Sequence, residues 1–177
     1  MRGLAAGGFV IALSGALMQP AAHGPAQAQQ GAPMPFEMRE LNDAESAALP
    51  PGEGRDAVAF MCVPCHGVLP AIAVRKTAPG WEATVEAMRD KGAKGSDQQA
   101  DAAAKYLARF FPAVDVNKAT AAQIADVTDL TAQDAQAIVA YREAGHEFKS
   151  FTDVKKVPGI DAKRLAAAKL RIVYAPK

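Results

Sequence analysis

The sequence predicts an all-α protein built as two small helical halves. Three observations point there. Alanine, the strongest helix former, supplies 40 of the 177 residues. Aromatic residues are only 6% of the chain, and β-branched or aromatic runs are scarce, so there is little material for a sheet. Apolar residues also recur at helical spacing behind capping residues. Ala103, Tyr106, Leu107 and Phe110 follow Ser96, and Ala135, Ile138 and Val139 follow Thr131. A net charge of +1 excludes a uniformly basic nucleic-acid coat and an acidic tail protein. Two cysteines, Cys62 and Cys65, exclude a disulfide scaffold and a four-cysteine zinc module.

The first 28 residues read as a leader rather than as fold. Arg2 is the only charge before Glu37, residues 3–19 are small and apolar, and Pro20 ends the run. Ala26-Gln27-Ala28 offers a small-residue cleavage site, so a signal peptide cut after Ala28 and a periplasmic protein are expected. The alternative is a retained anchor, although a run of about 17 residues is at the lower limit for spanning. Residues 29–49 carry Pro33, Pro35 and glutamines and read as linker, with a short helix near Leu41–Ala48.

Cys62-Val63-Pro64-Cys65-His66 is the most specific motif of the chain. Cys-x-x-Cys-His is the attachment pattern of covalent haem c. Two thiols three residues apart reach two vinyl groups on one porphyrin edge, and the adjacent imidazole falls beneath the iron as an axial ligand. A redox dithiol would need a βαβ context, and none is visible. Zinc would need more ligands than these adjacent residues supply. The flanks predict two helices that cross and close the domain. One leads from Gly54 into the motif, with Val58, Phe60 and Met61 as contacts, and the other covers Ser96–Phe110.

A low-spin carrier needs a sixth ligand. Downstream of His66 the candidates are Met88 and His146. Trp81, Val85 and Met88 share one helical face at i, i+4 and i+7, which presents the thioether and the indole together. Met88 as plain core, ligation by His146 and an open iron are the other readings. Arg75 and Lys76 are candidate partners for a haem propionate, or simply solvated cations.

Residues 50–112 resemble the short cytochrome c domains of periplasmic dehydrogenase subunits, such as sulfite and quinohaem dehydrogenases. The shared positions are Cys62, Cys65, His66, Arg75, Trp81, Val85, Met88, Gly92-Ala93 and Tyr106-Leu107. The resemblance implies an iron held by His66 and Met88, and one-electron exchange with a dehydrogenase or other redox protein. A domain of this size buries only ~60% of its unfolded surface, so the haem is expected to complete its core.

Residues 114–176 change character. Thr120 with Gln123 forms a capping-box pattern before 121–127. Asp129-Leu130-Thr131 then turns into 132–144, and Pro158-Gly159-Ile160 turns into 161–170. This module resembles the tandem helix-hairpin-helix domain of the competence DNA-receptor family. The resemblance rests on Val116-Asn117, Ala135, Ile138, Tyr141-Arg142, Phe148-Lys149-Ser150, Val154 and Val157-Pro158-Gly159-Ile160. In that family each hairpin carries Gly-hydrophobe-Gly, which brings backbone N–H groups to a phosphate. Here the first hairpin has lost both glycines and the second keeps Gly159 alone. Asp129 and Asp161 bring carboxylates to the phosphate positions. Residues 149–177 nevertheless carry a net charge of +6. Lys155, Lys156, Gly159, Lys163 and Arg164 are therefore the candidate docking residues for DNA, an acidic protein or an anionic surface.

The expected function is a periplasmic electron-transfer protein that breaks no substrate bond itself. The alternatives are a periplasmic DNA-binding protein with an accessory haem and an open-iron haem enzyme.

Overall fold

The computed structural model describes residues 41–175. The expected leader at 1–28 and most of the expected linker lie outside them. The described chain is mostly helical. It runs α1 (Asp43–Ala48), α2 (Arg55–His66), α3 (Leu69–Ile72), α4 (Ala78–Asp90), α5 (Asp97–Phe110), β1 (Val114–Asp115), α6 (Ala121–Thr128), α7 (Ala132–Glu143), α8 (Phe151–Val154), α9 (Ala162–Ala168), a 3-10 turn at Lys169–Arg171, and β2 (Ile172–Val173). No helix among the described residues is long and apolar enough to cross a membrane.

The helix starts follow local chemistry. Asn42, Ser96, Thr120 and Thr131 each form a capping box with the residue three positions on. Each box satisfies two backbone donors that a helix start would otherwise leave orphaned.

Two hydrophobic clusters divide the chain. The first gathers Leu49, Val58, Met61, Trp81, Val85, Ala103, Tyr106, Leu107 and Phe111 around α2, α4 and α5. α5 packs against both of the other helices. Its small Ala100, Ala103 and Ala104 are buried there and let neighbouring backbones come close. Gly54 has φ +88°, and a Cβ on it would lie 2.3 Å from the Ala102 carbonyl and 2.8 Å from Tyr106 Cβ. Only glycine allows α2 to start this close to α5. Part of the stretch read as linker belongs to this cluster. Leu49 is buried, and Glu45 accepts a hydrogen bond from the Val68 N–H at 3.0 Å.

The second cluster gathers Val116, Ile124, Leu130, Ala135, Ile138, Phe148, Val154, Val157, Leu165 and Ile172. β1 and β2 close this half as a parallel pair, Val114 opposite Ile172 and Asp115 opposite Val173. This pairing was not expected from the sequence. Buried Asn117 bonds the Phe148 N–H and carbonyl at 2.9 and 2.7 Å and the Ala175 carbonyl at 3.1 Å.

Backbone and indole hold the end of the first cluster where the chain leaves it. The Ala113 N–H donates to the Lys76 carbonyl at 2.7 Å. Trp81 Nε1–H donates to the Phe111 carbonyl at 2.9 Å.

Candidate functional site

α2 places the Cys-x-x-Cys-His motif at its C-terminal end. Gly67 takes φ 71° directly after it and stops the helix at His66. His66 Nδ1 lies 2.6 Å from the Gly67 carbonyl oxygen. A carbonyl only accepts, so this contact requires the proton on Nδ1 and leaves the Nε2 lone pair for a ligand.

A cavity of about 350 Å³ opens beside the motif. α2 contributes Met61, Cys62 and His66, and α3 contributes Pro70 and Ala71. Trp81, Thr84, Val85 and Met88 come from α4, Ala103 and Leu107 from α5, and Val74 and Lys76 from the connecting loop. The α4 residues follow the i, i+3, i+4, i+7 stripe, so the helical period alone delivers indole and thioether to the same wall. Cys62, His66 and Met88 are thus brought together. Cys65 is exposed, one turn along α2 from Cys62, and is not part of the lining. His146 lies in the second half, stacked on Tyr141 with ring centroids 4.2 Å apart, away from this cavity's lining residues.

His66 and Met88 are the two side chains at this cavity that could hold a metal-bearing, mostly apolar group. An imidazole nitrogen and a thioether sulfur share one cavity whose other walls are largely apolar. Among the described residues no group of three or more His, Cys, Asp or Glu side chains could hold a bare metal ion. An iron here would need in-plane nitrogens brought by its own macrocycle. Burial pushes the Cys62 thiol up to about 11, and the neighbouring Cys65 adds to the shift. A redox dithiol needs the opposite, a thiol shifted down toward neutral pH.

The two propionate candidates separate. Arg75 donates to the Ile72 and Val74 carbonyls, and its guanidinium lies 4.9 Å from the Phe111 ring centroid. Lys76 instead lines the cavity, and its ammonium bonds Thr84 Oγ1 at 2.5 Å.

In the second half both hairpins have the same backbone form. Asp129 has φ 59° and Gly159 φ 80°, each one residue before a hydrophobe and two before a capping residue. Aspartate is among the few non-glycine residues that tolerate this left-handed region, so the first turn survives the loss of its glycine. The charges, however, are committed internally. Asp161 caps α9 by accepting from the Arg164 N–H at 2.8 Å. Asp129 pairs with Arg171. Arg164 pairs with Asp134, 2% exposed, at 3.0 Å. Burial pushes the Asp134 carboxyl up, but hydrogen bonds from Thr131 and Arg164 outweigh it and hold the group below the usual carboxylate range. Lys156 pairs with Asp153 at 2.8 Å. All five docking candidates are exposed; among the described residues Lys155 and Lys163 make no ion pair, while Lys156 is paired with Asp153 and Arg164 with the buried Asp134. The sequence carried no signal for the Arg164–Asp134 pairing, because it joins residues 30 positions apart.

The helix-hairpin-helix motif family matches residues 110–173. No curated protein and no solved structure matches the chain. The C-terminal part of this mostly helical protein therefore carries a helix-hairpin-helix domain.

Proposed function

We propose that the chain is a periplasmic c-type cytochrome, a carrier of single electrons that serves a dehydrogenase or another redox protein of that compartment. The observation that supports this best is the meeting of Cys62, His66 and Met88 at one apolar cavity. When bound, the haem supplies the one-electron couple of its iron. The chain's own residues hold and tune it. Cys62 and Cys65 hold the ring through carbon–sulfur bonds. His66 keeps its Nδ1 proton on the Gly67 carbonyl, which orients the imidazole, and its Nε2 would be one of the chain's two ligands to the iron. Met88 offers its sulfur as the other, a ligand type that raises the reduction potential. The apolar side chains from α4 and α5 would give the metal a largely apolar surrounding.

The test is export in a host that matures c-type cytochromes, followed by extraction with acidified acetone. The pigment is expected to stay on the protein, and the Cys62→Ala/Cys65→Ala variant to lose it. The ferric protein is expected to show a methionine-to-iron charge-transfer band that Met88→Ala abolishes. A colourless protein, or pigment released into the acetone, overturns the reading.

The family match at 110–173 favours a second reading, a periplasmic DNA-binding protein with an accessory haem. Helix-hairpin-helix hairpins meet phosphate through backbone N–H groups, and here the acids at 129 and 161 oppose that. This reading expects duplex binding that falls steeply with salt and weakens in Lys155→Ala/Lys163→Ala. A gel showing no shift of a 20-base-pair duplex at low salt eliminates it.

A further inference from the structure

We infer that Lys76 is the anion anchor of the cavity, the residue that would hold a propionate carboxylate of the tetrapyrrole. The inference rests on the haem reading above. Lys76 is the one cation in a lining otherwise made of apolar groups, the Thr84 hydroxyl, Cys62 and His66. Its ammonium is placed by two contacts with α4, the Thr84 hydroxyl at 2.5 Å and the Trp81 ring, with its centroid 5.5 Å away. Thr84 Oγ1–H in turn donates to the Gly80 carbonyl at 2.7 Å, so the oxygen turns its lone pairs to the lysine. The backbone of Lys76 is fixed as well, bonded to Phe111 and Ala113 on either side of Pro112.

None of these contacts neutralises the ammonium. No carboxylate is among the cavity's lining residues, and among the described residues Lys76 makes no ion pair. A cation held at the wall of an apolar cavity by neutral groups is preorganised for an anionic ligand group. The neighbouring Arg75, equally plausible by position in the chain, has its guanidinium committed to backbone carbonyls and the Phe111 ring.

The experiment compares midpoint potentials of the mature, pigmented full-length protein by spectroelectrochemistry. Removing a cation that neutralises a carboxylate of the tetrapyrrole would favour the ferric state. Lys76→Met and Lys76→Gln are each expected to shift the potential downward, Lys76→Arg to restore it, and Arg75→Met to leave it at the wild-type value. Two variants of different polarity guard against one failing to mature. Wild-type potentials in pigmented Lys76→Met and Lys76→Gln, or an equal fall in Arg75→Met, overturn the assignment of Lys76 and leave the haem reading standing. A wild-type protein that never acquires covalent pigment overturns the haem reading, and the anchor with it.

Discussion

Trp81→Ala is expected to destabilise the fold by about 4–5 kcal/mol, measured as the loss in urea unfolding free energy. The indole is 0% exposed at the centre of the first cluster. Large-to-small core substitutions of this kind cost about 3–5 kcal/mol through lost burial and the cavity left behind. A second cost comes from the indole N–H. It donates to the Phe111 carbonyl at 2.9 Å, one step before the chain enters the second half. Without it, that carbonyl keeps only the longer bond from the Lys76 N–H at 3.4 Å. Trp81→Phe separates the two contributions. It retains most of the apolar area and loses the hydrogen bond, so a smaller loss of about 1–2 kcal/mol is expected. A loss below about 2 kcal/mol for the alanine variant would show that the cluster rearranges around the gap.

Asn117→Ala has the second largest expected effect, about 3–4 kcal/mol, checked by the same unfolding measurement. The side-chain amide of Asn117 is a three-way clamp. It accepts from the Phe148 N–H, donates to the Phe148 carbonyl, and donates to the Ala175 carbonyl. These partners lie 31 and 58 positions away, so one side chain ties the beginning, middle and end of the second half together. Asn117 itself is 5% exposed, so water does not readily replace the lost bonds. Each orphaned buried backbone group costs about 1–3 kcal/mol. Three groups lose a partner, and partial relaxation brings the expected sum down. Asn117→Asp is expected to be no milder, because it loses both donors and turns an anion toward two carbonyl oxygens. A loss under 1 kcal/mol would mean that the three segments are held by the apolar cluster alone.

Much of the local structure was legible because local rules govern it. A capping side chain acts within three residues, so Ser96, Thr120 and Thr131 mark helix starts in the sequence as they do in the structure. The stripe of Trp81, Val85 and Met88 is readable because 3.6 residues per turn is a property of the backbone, whatever surrounds it. The motif at Cys62, Cys65 and His66 is readable because its spacing lies within one helical turn. Both hairpins were also found, including the first, where Asp129 takes the left-handed conformation that a glycine would usually supply.

The misses are all matters of distance along the chain. Glu45 and Leu49 sit in a polar, proline-flanked stretch with no pattern that announces burial, yet they pack against the first cluster. Arg164 looks like a free docking cation until Asp134, far away in sequence, is seen beside it.

The amino-acid order alone determined the helical character, the helix starts, the Cys-x-x-Cys-His spacing and the face of α4 that carries Met88, since each depends on neighbours within about two turns. Tertiary structure alone decided that Cys62, His66 and Met88 share a cavity, that Lys76 rather than Arg75 turns toward it, and that strands 58 residues apart pair as β1 and β2. The physical reason is that these outcomes depend on which distant surfaces bury one another, a choice made by the summed packing of the whole chain and written in no short stretch of it.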